Sequence, residues 1–312
     1  MPFTIKVQPL STFELIKISD STQNNSIDII TKGGLLNAWS MQDKQASMNV
    51  IAGNDFTKGW DAFEANGFKS GKMSPFACRL NQGKYTYQEK VYQIEKFYLG
   101  DHAIHGILYD APFTIKSSHV SATEGTVILK YDYMGTDAGF PFDYSIEVAW
   151  SLKKNNKVCV QTTVINHTNK PIPMMDGWHP YFTLGSDVDT YTLKFTCEGQ
   201  LEYDEALLPT GKILPEQQFE QGKLLNGIDL DNGYVQNEGD NLCTIENDRY
   251  TLLVQPIKGY SYLQIYTPPD RKSIAIENLS GAPDCFNTKI GLQLVKPYEQ
   301  MIFATTYQCL VK

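Results

Sequence analysis

Five histidines are all that the 312-residue chain contains, at positions 102, 105, 119, 167 and 179, so each can be weighed by its neighbours. His179 stands in Asp176-Gly177-Trp178-His179-Pro180-Tyr181-Phe182. The proline that follows biases it towards extended backbone, and the flanking aromatics supply apolar walls and stacking faces. An imidazole there is either a proton-transfer group or a core residue of an aromatic cluster, and seven residues do not separate the two. Glu277 lies in Ser273-Ile274-Ala275-Ile276-Glu277-Asn278-Leu279. Burying an ionised carboxylate is expensive without a partner, so an acid in such an apolar run belongs at a paired position or a cleft mouth. Ile274 and Ile276 alternate with Ala275 and Glu277, so a place on the solvated face of an ordinary strand is the alternative.

Other polar residues are weaker candidates. Arg79 follows Ser74-Pro75-Phe76-Ala77-Cys78 and reads as a hydroxyl-binding residue or as half of a surface ion pair. Asp231, in Leu230-Asp231-Asn232-Gly233-Tyr234, reads as a hydroxyl ligand or as an Asx turn. His102 and His105 are three residues apart in Gly100–Gly106, but no carboxylate-plus-histidine set completes a metal site around them. His119 and His167 sit among Ser, Asn and Thr and read as exposed. The six cysteines, at 78, 159, 197, 243, 285 and 309, form no CxxC pair. They indicate reduced thiols rather than zinc ligands or a disulfide framework.

The elements that must carry these residues read as strands. Tyr144, Ile146, Val148 and Trp150 alternate with Ser145, Glu147, Ala149 and Ser151, and residues 157–165 are rich in β-branched side chains. Similar runs occupy 191–197, 250–255, 262–267, 273–279 and 301–311. Period-two alternation buries one face of a sheet. Asn, Gly, Pro and Asp punctuate the runs. The best helical candidate, 54–66, is weakened by Gly59 and two aspartates. With no linker and no repeat, the expectation is one all-β domain over residues 1–312, a large antiparallel sandwich with few short helices. The net charge of −8 disfavours nucleic acid and anionic membrane as partners. No run reaches membrane-spanning length and the N-terminal residues carry no signal-peptide pattern, so a cytoplasmic location is expected. The three Asn-x-Ser/Thr triplets, at Asn24, Asn166 and Asn278, are then coincidental.

Several motifs, in order along the chain, resemble the aldose 1-epimerase (galactose mutarotase) family. Gly177–Phe182 is similar to that family's histidine motif, whose histidine acts as general acid. Ile104-His105-Gly106 resembles a Leu-His-Gly-Gly motif bearing a substrate-binding histidine. Pro75–Leu80 with Gly83-Lys84-Tyr85 resembles the segment presenting a sugar-binding arginine, here Arg79. Leu208-Pro209-Thr210-Gly211 is similar to a Pro-Thr-Gly turn, followed by a sugar-binding aspartate at the place of Asp231. Ala275-Ile276-Glu277-Asn278, with Pro283-Asp284 and Asn287, resembles the segment with the catalytic glutamate. There are departures: Ile107 replaces the second glycine after His105, Gly100-Asp101-His102-Ala103 replaces the usual Asn-Gly before it, and Asn278 follows the glutamate.

The resemblance implies a galactose mutarotase-like supersandwich and a cofactor-free, metal-free isomerase acting on a free aldohexose. Glu277 and His179 would be catalytic. His105, Arg79 and Asp231 would hold hydroxyls, and Trp178 and Tyr181 would wall the pocket. Glu277 is expected as an ionised base and His179 as a protonated acid, each charge stabilised by the other. The alternatives are a non-catalytic carbohydrate-binding protein of the same fold, a hexose-6-phosphate mutarotase using Arg79, Lys72 or Lys84, and a glycoside hydrolase pairing Glu277 with Asp176 or Asp231.

Overall fold

The computed structural model describes residues 1–43, 47–56, 59–60, 67–239 and 241–312. The alternating segments form antiparallel strands, and their alternation decides which face is buried. In Asp143–Lys153, Tyr144, Ile146, Val148, Trp150 and Leu152 all point into the core. That strand is the third of a nine-stranded sheet. Its order is Thr114–Val120, Glu124–Met134, Asp143–Lys153, Lys157–Asn166, Gln300–Val311, Tyr250–Lys258, Cys243–Glu246, Thr192–Lys194 and Lys223–Leu224. The last long strand of the chain thus pairs in mid-sheet with Lys157–Asn166 on one side and Tyr250–Lys258 on the other, which fastens the C-terminal third onto the middle.

An eight-stranded sheet faces it. Its path runs Pro209–Leu214, Gly199–Tyr203, Asp231–Val235, Tyr262–Tyr266, Ile274–Leu279, Gly177–Trp178 and Lys72–Met73, and Tyr181–Phe182 also pairs with Ile274–Leu279. Contacts between the two sheets close a sandwich. The Asn278 amide donates to Thr305 Oγ1 at 2.7 Å, the Trp178 indole donates to Thr162 Oγ1 at 3.3 Å, and the Phe182 and Tyr307 rings lie 5.2 Å apart edge to face. A five-stranded meander, Phe3–Leu10 to Ser47–Asn49, packs on the nine-stranded sheet where Gly125 leaves room for Ile18 and Phe3. Helix is confined to short turns such as Cys285–Thr288 and Val188–Thr190. Of the helical candidate 54–66, residues 57–58 and 61–66 lie outside the described residues.

Strand Ile274–Leu279 is buried at every position. It lies in mid-sheet between Tyr262–Tyr266 and Gly177–Trp178, with the nine-stranded sheet behind it. The solvated-face alternative for Glu277 is therefore excluded, because the strand is buried on both of its faces.

Candidate active site

Three neighbouring strands of the eight-stranded sheet supply one wall of a cavity. Asp231 lies opposite Tyr266, and Gln264 lies opposite Glu277. Directly opposed residues share a face, as do residues two apart on one strand. Asp231, Tyr266, Gln264 and Glu277 therefore project together. Tyr181 joins them, because it opposes Ala275, two residues from Glu277. His179 sits between the short strands Gly177–Trp178 and Tyr181–Phe182. Its N–H donates to the Gly71 carbonyl at 3.1 Å, and its carbonyl accepts from the Ser70 N–H at 2.8 Å. The imidazole stacks on Tyr181, with ring centres 4.8 Å apart and planes 5° from parallel. It meets His105 edge to face at 5.0 Å. Its Nε2 lies 3.3 Å from Glu277 Oε1.

The opposite wall comes from a small three-stranded sheet. Arg79, in Arg79–Leu80, pairs with Ile104 at the end of His102–Ile104, which brings His105 beside it. The turn at His105 and Gly106 is fastened to the segment before Arg79. The His105 N–H donates to the Cys78 carbonyl at 3.0 Å, and the Ile107 N–H donates to the Ser74 carbonyl at 2.8 Å. Gly106 has φ +79°, and a Cβ there would lie 2.2 Å from the Ser74 carbonyl oxygen. Only glycine fits.

The cavity, open on one side, has a volume of about 220 Å³. Pockets for drug-sized ligands measure roughly 300–1,000 Å³, so this cavity suits a small molecule. Both chemical characters are present: Arg79, His105, His179, Asp231 and Glu277 among Phe68, Leu99, Ile104, Leu207 and tyrosines. Three buried atoms of lining residues have no hydrogen-bond partner among the described residues: His105 Nδ1, His179 Nδ1 and Glu277 Oε2. Each unpaired buried polar atom costs about 1–3 kcal/mol. Three such atoms belong to residues of this one cavity. No group of three or more His, Cys, Asp or Glu among the described residues is arranged to hold a metal.

Burial dominates the electrostatics. The side chains of His179 and Glu277 are only 8% and 2% exposed. Desolvation lowers the His179 pKa to about 3. Desolvation first, and the nearby Asp231 carboxylate second, hold the Glu277 carboxyl well above its ordinary range. The expectation that the two would charge one another is reversed for the free protein. Leaving water works against both ions, so burial favours a neutral imidazole beside a protonated carboxyl. His105 is likewise held neutral by burial, with His179 and Arg79 adding to the effect. Asp231 is raised by burial, opposed by Arg79 and by the Gln264 amide.

Of the residues singled out from the sequence, Glu277, His179, His105, Arg79, Asp231 and Tyr181 converge on this cavity. Trp178 does not. It is 3% exposed, turned between the sheets, with its indole donating to Thr162 and its ring edge-on to Trp150 at 5.1 Å. Adjacent strand residues point to opposite faces, so a cavity-facing His179 sends Trp178 into the core. Lys72 is also removed from any ligand. It is fully buried against Asp176 and the Gly177 carbonyl, while Tyr260 donates to the other Asp176 oxygen at 2.9 Å. Asp176 is thereby excluded as a partner for Glu277. Asn278, one of the departures, faces the nine-stranded sheet rather than the cavity. His119 and His167 are exposed. Sequence reasoning missed Gln264, Tyr203 and Tyr266, which line the cavity. The signal for Gln264 was present: it is a lone polar residue in Tyr262–Tyr266, the same feature that drew attention to Glu277.

The family model described as aldose 1-epimerase matches residues 14–308. Uncharacterized protein YihR of Escherichia coli K12 is 25% identical over 234 residues, covering 72% of this chain and 73% of that protein. An aldose 1-epimerase of Streptococcus thermophilus is 26% identical over 243 residues, covering 69% of this chain and 64% of the enzyme. The crystal structure of a galactose mutarotase-like protein from Clostridium acetobutylicum superposes with a TM-score of 0.86 at 17% identity, over 100% of this chain and 99% of that one. The fold is the galactose mutarotase-like sandwich. With the match running through nearly all of its length, the chain belongs to the aldose 1-epimerase family.

Proposed function

We propose that the protein is a mutarotase that interconverts the α and β anomers of a free aldohexose, with Glu277 and His179 as the proton-transfer pair. The observation that carries the proposal is their 3.3 Å approach inside a small polar cavity, with an unpartnered atom on each. Mutarotation opens the pyranose ring, lets the aldehyde turn about C1–C2, and recloses on the other face. A base must take the C1 hydroxyl proton while an acid protonates the ring oxygen, and the roles then reverse.

Such a cycle needs one mobile proton shared by two groups. A carboxylate beside an imidazolium and a carboxylic acid beside an imidazole hold the same number of protons. Glu277 is the base and His179 the acid for ring opening. The open-chain sugar then faces protonated Glu277 and neutral His179, the arrangement that burial favours. A bound sugar that donates to Glu277 Oε2 and accepts from the His179 Nδ1–H would stabilise the charged arrangement that starts the cycle. His105, Arg79 and Asp231 hold the remaining hydroxyls, and the ring of Tyr181 lies against the sugar.

An unphosphorylated substrate is favoured. Arg79 is the only Lys or Arg among the described lining residues, against the carboxyls of Asp231 and Glu277, and Lys72 is committed to Asp176. A glycosidase would need two carboxyls at the scissile bond, and Asp231 is a second carboxyl in the same cavity, but the group touching Glu277 is the imidazole of His179. A pure binding protein has no use for that pair. The chain is proposed to act as one domain in the cytoplasm, without a cofactor.

Polarimetry on freshly dissolved α-glucose and α-galactose tests the proposal. The protein should accelerate equilibration of at least one, and Glu277→Gln and His179→Asn should each lose about 10²–10⁴-fold with an unchanged circular dichroism spectrum. Wild-type rates in both variants would overturn it.

A further inference from the structure

We infer that Tyr203 is a positioning residue that aims and charges the sugar-binding carboxylate Asp231 through Gln264. The inference rests on the mutarotase reading for its kinetic consequence, but its geometry stands alone. The Tyr203 hydroxyl donates to Gln264 Oε1 at 3.0 Å, and Gln264 Nε2 donates to Asp231 Oδ1 at 2.9 Å. The polarity of this chain is forced by chemistry. An ionised carboxylate only accepts hydrogen bonds, so the amide must turn its NH₂ towards Asp231. Its oxygen then faces away and needs a donor, which the phenol supplies. Without the Tyr203 hydroxyl the amide oxygen loses its donor, and the amide is held by Asp231 alone.

The backbone makes room for the relay. Gly233 lies directly opposite Gln264 on the neighbouring strand. A Cβ on Gly233 would sit 2.1 Å from the Tyr203 hydroxyl and 3.0 Å from Gln264 Oε1. The backbone of Gly233 is not in the left-handed region, so what its glycine provides is space for the phenol. Asp231 in turn needs the support. Burial works against its charge, and Arg79 and the Gln264 hydrogen bond favour it.

Tyr203→Phe removes one oxygen and keeps the ring. It should raise KM about 5- to 10-fold, the scale of one neutral hydrogen bond, and leave kcat within about 2-fold. In a carboxyl-carbon NMR titration, with Asp231 assigned through Asp231→Asn, the variant's Asp231 should titrate at higher pH than in the wild type. Gly233→Ala should do the same by displacing the phenol. The double variant should be no worse than either single one, because the methyl group added at position 233 then fills the space the hydroxyl has left. An unchanged Asp231 titration in Tyr203→Phe overturns the relay, even if KM rises, since the phenol would then be touching sugar itself. Additive losses in the double variant overturn it as well. If the wild type shows no mutarotation but Asp231 shifts as described, the relay stands and the mutarotase reading fails.

Discussion

At the scale of single residues, the defining feature is that two ionisable groups meet where neither is stable as an ion. Glu277 and His179 hold one proton between them over a wide range of pH. A second proton reaches His179 only near its lowered pKa of about 3. The proton already present leaves Glu277 only above that residue's raised pKa. Below the first limit there is no base, and above the second there is no acid. We therefore expect a flat region of kcat/KM wider than the ordinary values of the two groups allow, its acid limb moved down with His179 and its upper limb moved up with Glu277. A pH–rate series by polarimetry, corrected for spontaneous mutarotation, checks this. A narrow bell whose limbs fall at the ordinary pKa values of 4.5 for a glutamate and 6.5 for a histidine would contradict it. The identity of the pair was legible in the sequence, since a lone carboxylate in an apolar run and a histidine among aromatics are both conspicuous. Their proton balance was not. It depends on how much water is removed, and the residues that remove it come from strands distant in the chain, such as Arg79–Leu80 and Asp231–Val235.

At the scale of elements, the site is a matter of which face each short strand presents. Gln264, Tyr266 and Asp231 follow from cross-strand register, which becomes visible only once Tyr262–Tyr266 is known to lie between Asp231–Val235 and Ile274–Leu279. Trp178 shows the opposite case. Its placement beside His179 in the chain suggested a pocket wall, yet period-two geometry alone turns neighbours to opposite faces. The His105 turn belongs to this scale too. Gly106 holds a positive φ and lies where any Cβ would strike the Ser74 backbone. Gly106→Ala should cost roughly 1–3 kcal/mol of stability and raise KM by shifting His105. Chemical denaturation and steady-state polarimetry would measure the two effects. Unchanged values in both would show that the turn does not position His105.

At the scale of the whole molecule, residues 179, 231 and 277, carried by the eight-stranded sheet, meet residues 79 and 105, carried by the small three-stranded sheet. Alternation announced the all-β class, and the order of short motifs indicated the family. Sheet order was not readable, because it is set by long-range pairing such as that of Gln300–Val311 with Lys157–Asn166. The buried ion pair of Lys72 and Asp176 illustrates the same limit. Nothing local marked Lys72 as an interior residue, and its burial depends on a carboxylate 104 positions away. No helix of the described residues is long and apolar enough to cross a membrane. What the assembled fold must deliver is one proton circuit made from two distant segments. Exchange NMR of glucose or galactose anomers with wild type, Glu277→Gln, His179→Asn and the double variant measures that circuit. If the two residues act as a unit, the double variant will be about as slow as the slower single one. Losses that multiply, or a double variant as fast as the wild type, would contradict it.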